Sequence, residues 1–206
     1  MRIGQSSLSQ SVWKKLNFEQ WPFSLDDLPQ ESVLVGGAVR DALLEPLEPR
    51  LDLDLVVPTG AVQLTQSLAN KLSATCVILD MPRDIARLVK GDWTIDIVSR
   101  DGSTLDEDLL RRDYTINAIA ITLDQSPKLI DPTGGLEHLR QKKLVAISEK
   151  NLIDDPLRIL RGLRLMADFD LSISSESLSW MRLHSKTLCN VSSERIQEEI
   201  QRIIVA

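Results

Sequence analysis

Leu51-Asp52-Leu53-Asp54-Leu55-Val56-Val57 is the stretch on which the reading of this chain turns. Apolar and acidic residues alternate, then the apolar run closes on Pro58. Side chains two apart on a strand share a face. A strand over Leu53–Val57 therefore sends Leu53 and Leu55 to a core, and Asp52 and Asp54 project side by side. Two carboxylates so placed repel unless a cation lies between them. Hard oxygen donors of this kind suit Mg²⁺, which takes one or two carboxylates together with substrate phosphates. Taken alone, the pattern equally describes an edge strand with an acidic solvent face.

Upstream, Ser32–Val35 reads as a buried strand, followed by Gly36-Gly37 and a short helix over Ala38–Leu44. Glycines let backbone approach a phosphate, and a helix N-terminus offers free N–H groups. Arg40 lies one turn in and could add a charged fork to the same phosphate. A tight strand-to-helix turn explains the glycines as well. Gly36-Gly37 precedes the Asp pair by 15 to 18 residues, which suits adjacent strands. One element would hold a triphosphate and the next the metals, as in-line phosphoryl chemistry with two metal ions requires. Ile95-Asp96-Ile97 adds a third carboxylate in an apolar strand, either at the same site or facing solvent.

Further outward, helical spacing covers Gln63–Leu72, with short strands at Thr75–Leu79, Ile85–Val89 and Trp93–Val98. The last two form a hairpin turning at Lys90-Gly91-Asp92. A strand is expected near Ala118–Thr122 and a short helix at Ser9–Leu16. Glu45–Arg50, with two prolines, reads as loop. From Asp154 the character changes. Asp154-Asp155-Pro156 reads as a helix start, and helices are expected over Pro156–Ala167, Ser175–His184 and Ser192–Ile204.

Composition narrows the chemistry. The chain has 206 residues, 43% apolar and 26% charged, which is globular rather than disordered. Two cysteines and two histidines exclude thiolate clusters and histidine-rich metal sites, and favour a reducing, cytoplasmic setting. No apolar run nears the roughly 20 residues of a membrane span, and no membrane partner is expected. Net charge is −6, but residues 1–110 hold 10 Lys and Arg against 17 Asp and Glu, whereas residues 111–206 hold 14 against 13. Any basic nucleic-acid surface is therefore local.

The segments LVGGAVRDALL, LDLDLVV, LLRRDYTINAIAI, IDPTGGLEHLRQKKL and DDPLRILRGLRLMADFD occur in this order. Together they resemble the tRNA nucleotidyltransferase/poly(A) polymerase family, over about residues 32–204. The resemblance implies an α+β fold: a nucleotidyltransferase-type mixed β-sheet head flanked by helices, then an all-helical neck. It implies an N-terminal extension at 1–30, a head at 31–150 and a neck at 151–206. It implies addition of C and/or A from CTP or ATP to a tRNA 3′ end, with Mg²⁺ and release of pyrophosphate. Asp52 and Asp54 match the metal pair. Gly37 and Arg40, next to Gly36, match phosphate contacts. Arg112 matches a nucleotide-binding arginine, and Asp113 and Asn117 help place ribose and phosphates. Asp155 and Arg158 match the pair that reads the incoming base. Three apart on a helix they would be neighbours, Arg offering donors and Asp acceptors. Arg161 and Arg164 continue that spacing toward the triphosphate or the RNA end.

Residues 98–108 form a short connection where many CCA-adding members carry a longer flexible segment, and CC-adding relatives have a shortened one. The downstream body that grips tRNA is not seen, and the sequence stops at Ala206 inside a helical pattern, as a truncated chain or a short relative would. Template-free poly(A) addition to general RNA, or a non-catalytic nucleotide-binding head, are the competing readings.

Overall fold

The structure is a computed structural model describing residues 5–44 and 52–205. The loop expected at Glu45–Arg50 and the residue Leu51 lie outside the described residues. Helix α1 spans Gln5–Leu16, four residues longer than its apolar spacing predicts. Strand β1 (Val33–Val35) runs into helix α2 (Gly37–Leu43), then come β2 (Asp52–Val57) and α3 (Ala61–Leu72). Strands β3 (Thr75–Asp80), β4 (Ile85–Lys90) and β5 (Trp93–Ser99) follow, then α4 (Leu105–Leu110). Short strands β6 (Ala120–Thr122) and β7 (Leu129–Ile130) complete the sheet. Beyond them lie α5 (Gly135–Arg140), β8 (Lys143–Leu144), α6 (Glu149–Asp154), α7 (Leu157–Phe169) and β9 (Ser172–Ile173). Helices α8 (Ser175–His184) and α9 (Ser193–Ile204) end the described chain.

Contacts divide the chain into two compact units. One runs to Asp108 and includes Ile119–Ile130; the other joins Leu109–Ala118 to the residues from Asp131 onward. The cut expected near residue 150 thus falls inside the second unit. Backbone bonds explain why: Thr115 N donates to Val145 O and Ile147 N to Asp113 O, lacing the stretch before 150 to residues 113–115.

The first unit is built on a seven-stranded mixed sheet in the order β3-β4-β5-β2-β1-β6-β7. β2 and β5 are parallel, and every other neighbouring pair is antiparallel. A parallel pair needs a long crossover, and α3 with the β3–β4 hairpin supplies it. β2 therefore lies inside the sheet, with Leu53, Leu55 and Val57 buried as their alternation requires. The start of α3 is fixed by Asp84, whose carboxylate accepts from the N–H groups of Gly60, Ala61 and Val62 and from the Ser99 hydroxyl. Burial alone would raise the Asp84 pKa, but these four donors outweigh it and hold the carboxyl below its ordinary value.

The second unit is mostly helical. Ser148 and Ser174 cap α6 and α8 through their hydroxyls. α7 and α9 pack together, and β8 pairs in parallel with β9. Tyr114 is fully buried, and its hydroxyl donates to Arg158 O at 2.8 Å. It fits only because α7 carries glycine at 162: a Cβ there would lie 2.0 Å from the Tyr114 oxygen.

Candidate active site

In the first unit the acidic face is assembled by strand register. Asp54 pairs with Asp96 across β2 and β5, and Asp96 pairs with Arg87 across β5 and β4. Directly paired residues share a face, so Asp54, Asp96 and Arg87 form one row across three strands. Asp52, two residues earlier on β2, projects from the same face and is exposed, whereas Asp54 is half-buried.

Gly36 closes over that face at the end of β1. Its backbone sits at φ 74, ψ −139, a region essentially reserved for glycine. A Cβ at Gly36 would stand 2.8 Å from Asp54 Oδ2. Glycine at 36 is therefore required twice, for its backbone angle and for the approach of the carboxylate. Gly37 begins α2 directly after the bend. Arg40 is buried and its Nε donates to Asp41 Oδ1 at 2.8 Å. The fork expected at the phosphate is thus packed inside, one turn beyond the glycine bend.

Asp52 and Asp54 give two hard oxygen donors on one face, one pressed into a cradle that a side chain at 36 would fill, and this suits a divalent ion such as Mg²⁺. Among the described residues no group of three or more His, Cys, Asp or Glu side chains converges on a common metal position. Two carboxylates completed by substrate oxygens and water fit this geometry. Asp96 stands apart because both its oxygens are engaged. Arg87 Nε donates to Oδ1 at 2.7 Å and a terminal nitrogen to Oδ2 at 2.9 Å. That hydrogen-bonded pairing with Asp96, reinforced by the fields of Asp52 and Asp54, holds the Arg87 guanidinium above its ordinary pKa. Arg87 has no place among the sequence-derived candidates. Its signal in the sequence is a lone cation in the otherwise apolar run Ile85–Val89; its place opposite Asp96 comes from the strand register.

The second unit gathers the remaining candidates. Asp113 is buried, accepting from Tyr114 N at 2.7 Å and from Asn117 Nδ2 at 3.2 Å, with Arg161 Nε 2.9 Å away. Burial would raise its pKa; Arg161, the Tyr114 N–H, Asn117 and Arg158 together hold it low. Arg112 lies beside it, half-buried, with its carbonyl accepting from Asn151 Nδ2 at 2.6 Å. Asp155 is not on a helix, as its spacing to Arg158 suggested. It lies between α6 and α7 with extended backbone, and α7 begins at Leu157. Its Oδ2 accepts from Arg195 of α9 at 3.0 Å. Arg158 in the first turn of α7 donates to the carbonyls of Arg111 and Asn151. Arg164 departs from its expected direction: it bonds Glu199 at 2.5 Å and Asp168 at 3.0 Å, tying α7 to α9. Buried Glu199 is the reason, since a buried carboxylate requires a partner. Local sequence pattern singles out neither Glu199 nor Arg195, because both bonds span 35 or more positions.

The mixed sheet and its acidic central strand under a glycine bend define a nucleotidyltransferase head. Residues 32–145 match the family described as Poly A polymerase head domain, and residues 170–206 match that described as Probable RNA and SrmB- binding site of polymerase A. The chain belongs to the tRNA nucleotidyltransferase/poly(A) polymerase family. It is 40% identical over 186 residues to a CC-adding tRNA nucleotidyltransferase of Synechocystis, covering 90% of this chain and 44% of that protein. It is 38% identical over 172 residues to the CC-adding tRNA nucleotidyltransferase of Geobacter sulfurreducens, covering 82% of this chain and 39% of that one. The Thermotoga maritima CCA-adding enzyme complexed with tRNA superposes with a TM-score of 0.73 at 33% identity, over 84% of this chain and 42% of that one. The chain thus spans less than half the length of these relatives.

Proposed function

We propose that this protein adds cytidine from CTP to the 3′ end of tRNA, without a template and with a divalent ion. The observation that carries the reading is the Asp52–Asp54 face closed by Gly36, with Asp54 Oδ2 where a side chain at 36 would otherwise sit. In the reaction the RNA 3′-hydroxyl oxygen bonds to the α-phosphorus of the nucleotide. The bond to the β-phosphate oxygen breaks, pyrophosphate leaves and the hydroxyl proton is released. Asp52 and Asp54 would hold Mg²⁺, which when bound supplies charge stabilisation and lowers the pKa of the hydroxyl. The Gly36-Gly37 bend brings backbone close to the phosphates, with Arg40 behind it. Arg112, Asp113 and Asn117 shape the nucleotide site, Arg112 as its cation and the other two as its frame. Asp155 and Arg158 offer an acceptor and donors to the base edge. Cytosine presents an exocyclic amine that Asp155 can accept. The family resemblance assigns Arg161, which is paired with Asp113, to the triphosphate or the RNA end. Catalysis here is positioning and charge stabilisation by the chain's own groups.

The preference for CTP rests on the connection after β5. It is short and tied to its own helix: Asp101 N donates to Asp108 Oδ1, Ser103 N to Glu107 Oε2 and Glu107 N to Thr104 Oγ1. The names of the Synechocystis and Geobacter relatives point the same way. Labelled CTP and ATP, offered with tRNAs lacking CCA, CA or only A, test the proposal. Two cytidines should enter the first, one the second, and nothing the third. ATP incorporation into the third, or poly(A) growth on an unrelated RNA, would replace this reading with the corresponding activity. Absence of turnover by folded protein would leave a binding head.

A further inference from the structure

We propose that Arg87 is a positioning residue of this site: it withholds Asp96 from the divalent ion's ligands and fixes the charge that the ion meets. The inference rests on the reading that Asp52 and Asp54 hold that ion. Its physical basis is the row described above. Register places Asp96 between Asp54 and Arg87 on one face, one strand spacing, about 4.8 Å, from each. A third carboxylate that close to Asp54 is within reach of a cation shared with it. It does not converge with the other two, because its oxygens are both taken in the two-point grip of a guanidinium. Asp54 turns the other way, its Oδ2 against Gly36 on the β1 side of β2. Among the described residues of this face, Asp52, Asp54 and Asp96 are the carboxylates and Arg87 answers Asp96, which leaves Asp52 and Asp54 for a divalent ion. An ion with only two protein ligands keeps coordination positions open for substrate oxygens. A third would tighten ion binding and occupy one of those positions.

A cross-strand ion pair that served only to brace the sheet would behave differently. Exposed pairs of this type contribute little to stability, and Arg87 is 41% exposed in its side chain. Removing either partner of a pair that lay outside the ion's field would change stability slightly and ion binding not at all. A positioning pair makes the two removals act in opposite directions.

Direct Mn²⁺ binding, read from the loss of the free-ion EPR signal, supplies the test without recourse to turnover. Arg87→Met releases Asp96 to the ion and should tighten binding about five- to tenfold, the effect of one unit charge roughly 8 Å from a divalent ion in a solvent-facing site. Asp96→Asn releases the guanidinium toward Asp52 and Asp54 and should weaken binding by a similar factor. The double variant Arg87→Met/Asp96→Asn should return to within about twofold of the parent, since both charges vanish together. Arg87→Lys keeps the charge and should stay near the parent, and with Asp96→Asn it carries the test if Arg87→Met fails to fold by circular dichroism. Equal direction in the two single variants, or no change in either, overturns the inference. So does a double variant as weak as Asp96→Asn alone, which would make Asp96 itself a ligand. Asp52→Asn separates the levels: if it leaves Mn²⁺ binding intact, the metal-face reading fails. If it abolishes binding while the Arg87 and Asp96 variants are silent, only the Arg87 assignment fails.

Discussion

Gly36→Ala tests the geometry on which the site depends. The new Cβ would stand 2.8 Å from Asp54 Oδ2, whereas ordinary contact begins at 3.4 Å. The carboxylate must retreat by the difference, or the bend must open. The backbone adds its own cost, because φ 74 with ψ −139 is strained for any L side chain, by about 1–3 kcal/mol. For a protein of this size that is a fall in Tm of roughly 2–4 °C per kcal/mol. Displacement of a reacting group by a fraction of an ångström to 1 Å can cost on the order of 10²-fold in rate. Gly60→Ala is the matched control. Gly60 has φ 75, the same sign of backbone strain, and nothing within 4 Å of its would-be Cβ. Thermal melts and incorporation of labelled CTP, run on both variants, separate strain from displacement. Both should lose some stability; only Gly36→Ala should lose turnover and Mn²⁺ affinity. Equal CTP incorporation by the two variants would refute the claim that Asp54 works from the space glycine leaves.

Gly162→Ala drives a methyl group into the Tyr114 hydroxyl, 2.0 Å from the would-be Cβ, and should cost about 1–3 kcal/mol of stability by overpacking; a Tm unchanged in a thermal melt would show that Tyr114 has another place to go. Asp84 and Asp113 have pKa values held below the ordinary carboxylate value of about 4, so the stability they give is present above that pH and is lost as pH falls through their lower folded values. Urea midpoints should therefore drop below about pH 4, and Asp84→Asn should flatten that acid limb while lowering stability at pH 7 by about 1–2 kcal/mol through a weaker cap on α3. Arg195→Ala removes the group holding Asp155 Oδ2 and should raise KM for CTP while leaving Mn²⁺ binding at Asp52 and Asp54 unchanged; an unchanged KM would separate Asp155 from base recognition.

Local chemistry made much of this molecule legible. Alternation in the LDLDLVV stretch placed Asp52 and Asp54 on one face and Leu53 and Leu55 in the core, because strand geometry has a period of two. Helix α8 runs from Ser175 to His184, as its spacing and its capping serine at 174 require. α7 and α9 begin within one residue of the expected positions. The misses have distinct causes. A hairpin turning over Lys90-Gly91-Asp92 pairs Val89 with Trp93 and leaves Arg87 opposite Ile95. The actual turn is Gly91-Asp92 alone, with Lys90 opposite Trp93, and that one-residue slip puts Arg87 on Asp96. The short elements β7, β8 and β9 have two residues each, too few for any periodicity to register.

What sequence determined by itself is the set of residue types and their local faces: paired carboxylates on a strand, a glycine bend before a helix, an acidic start to a helical neck. Tertiary structure alone decided which of those charges are already answered. Arg87 holds Asp96, Glu199 and Asp168 hold Arg164, and Arg195 holds Asp155. A charge acts on whatever lies within a few ångströms of it, and most of these partners are brought there by strand register and helix packing, across separations in sequence that no local pattern records.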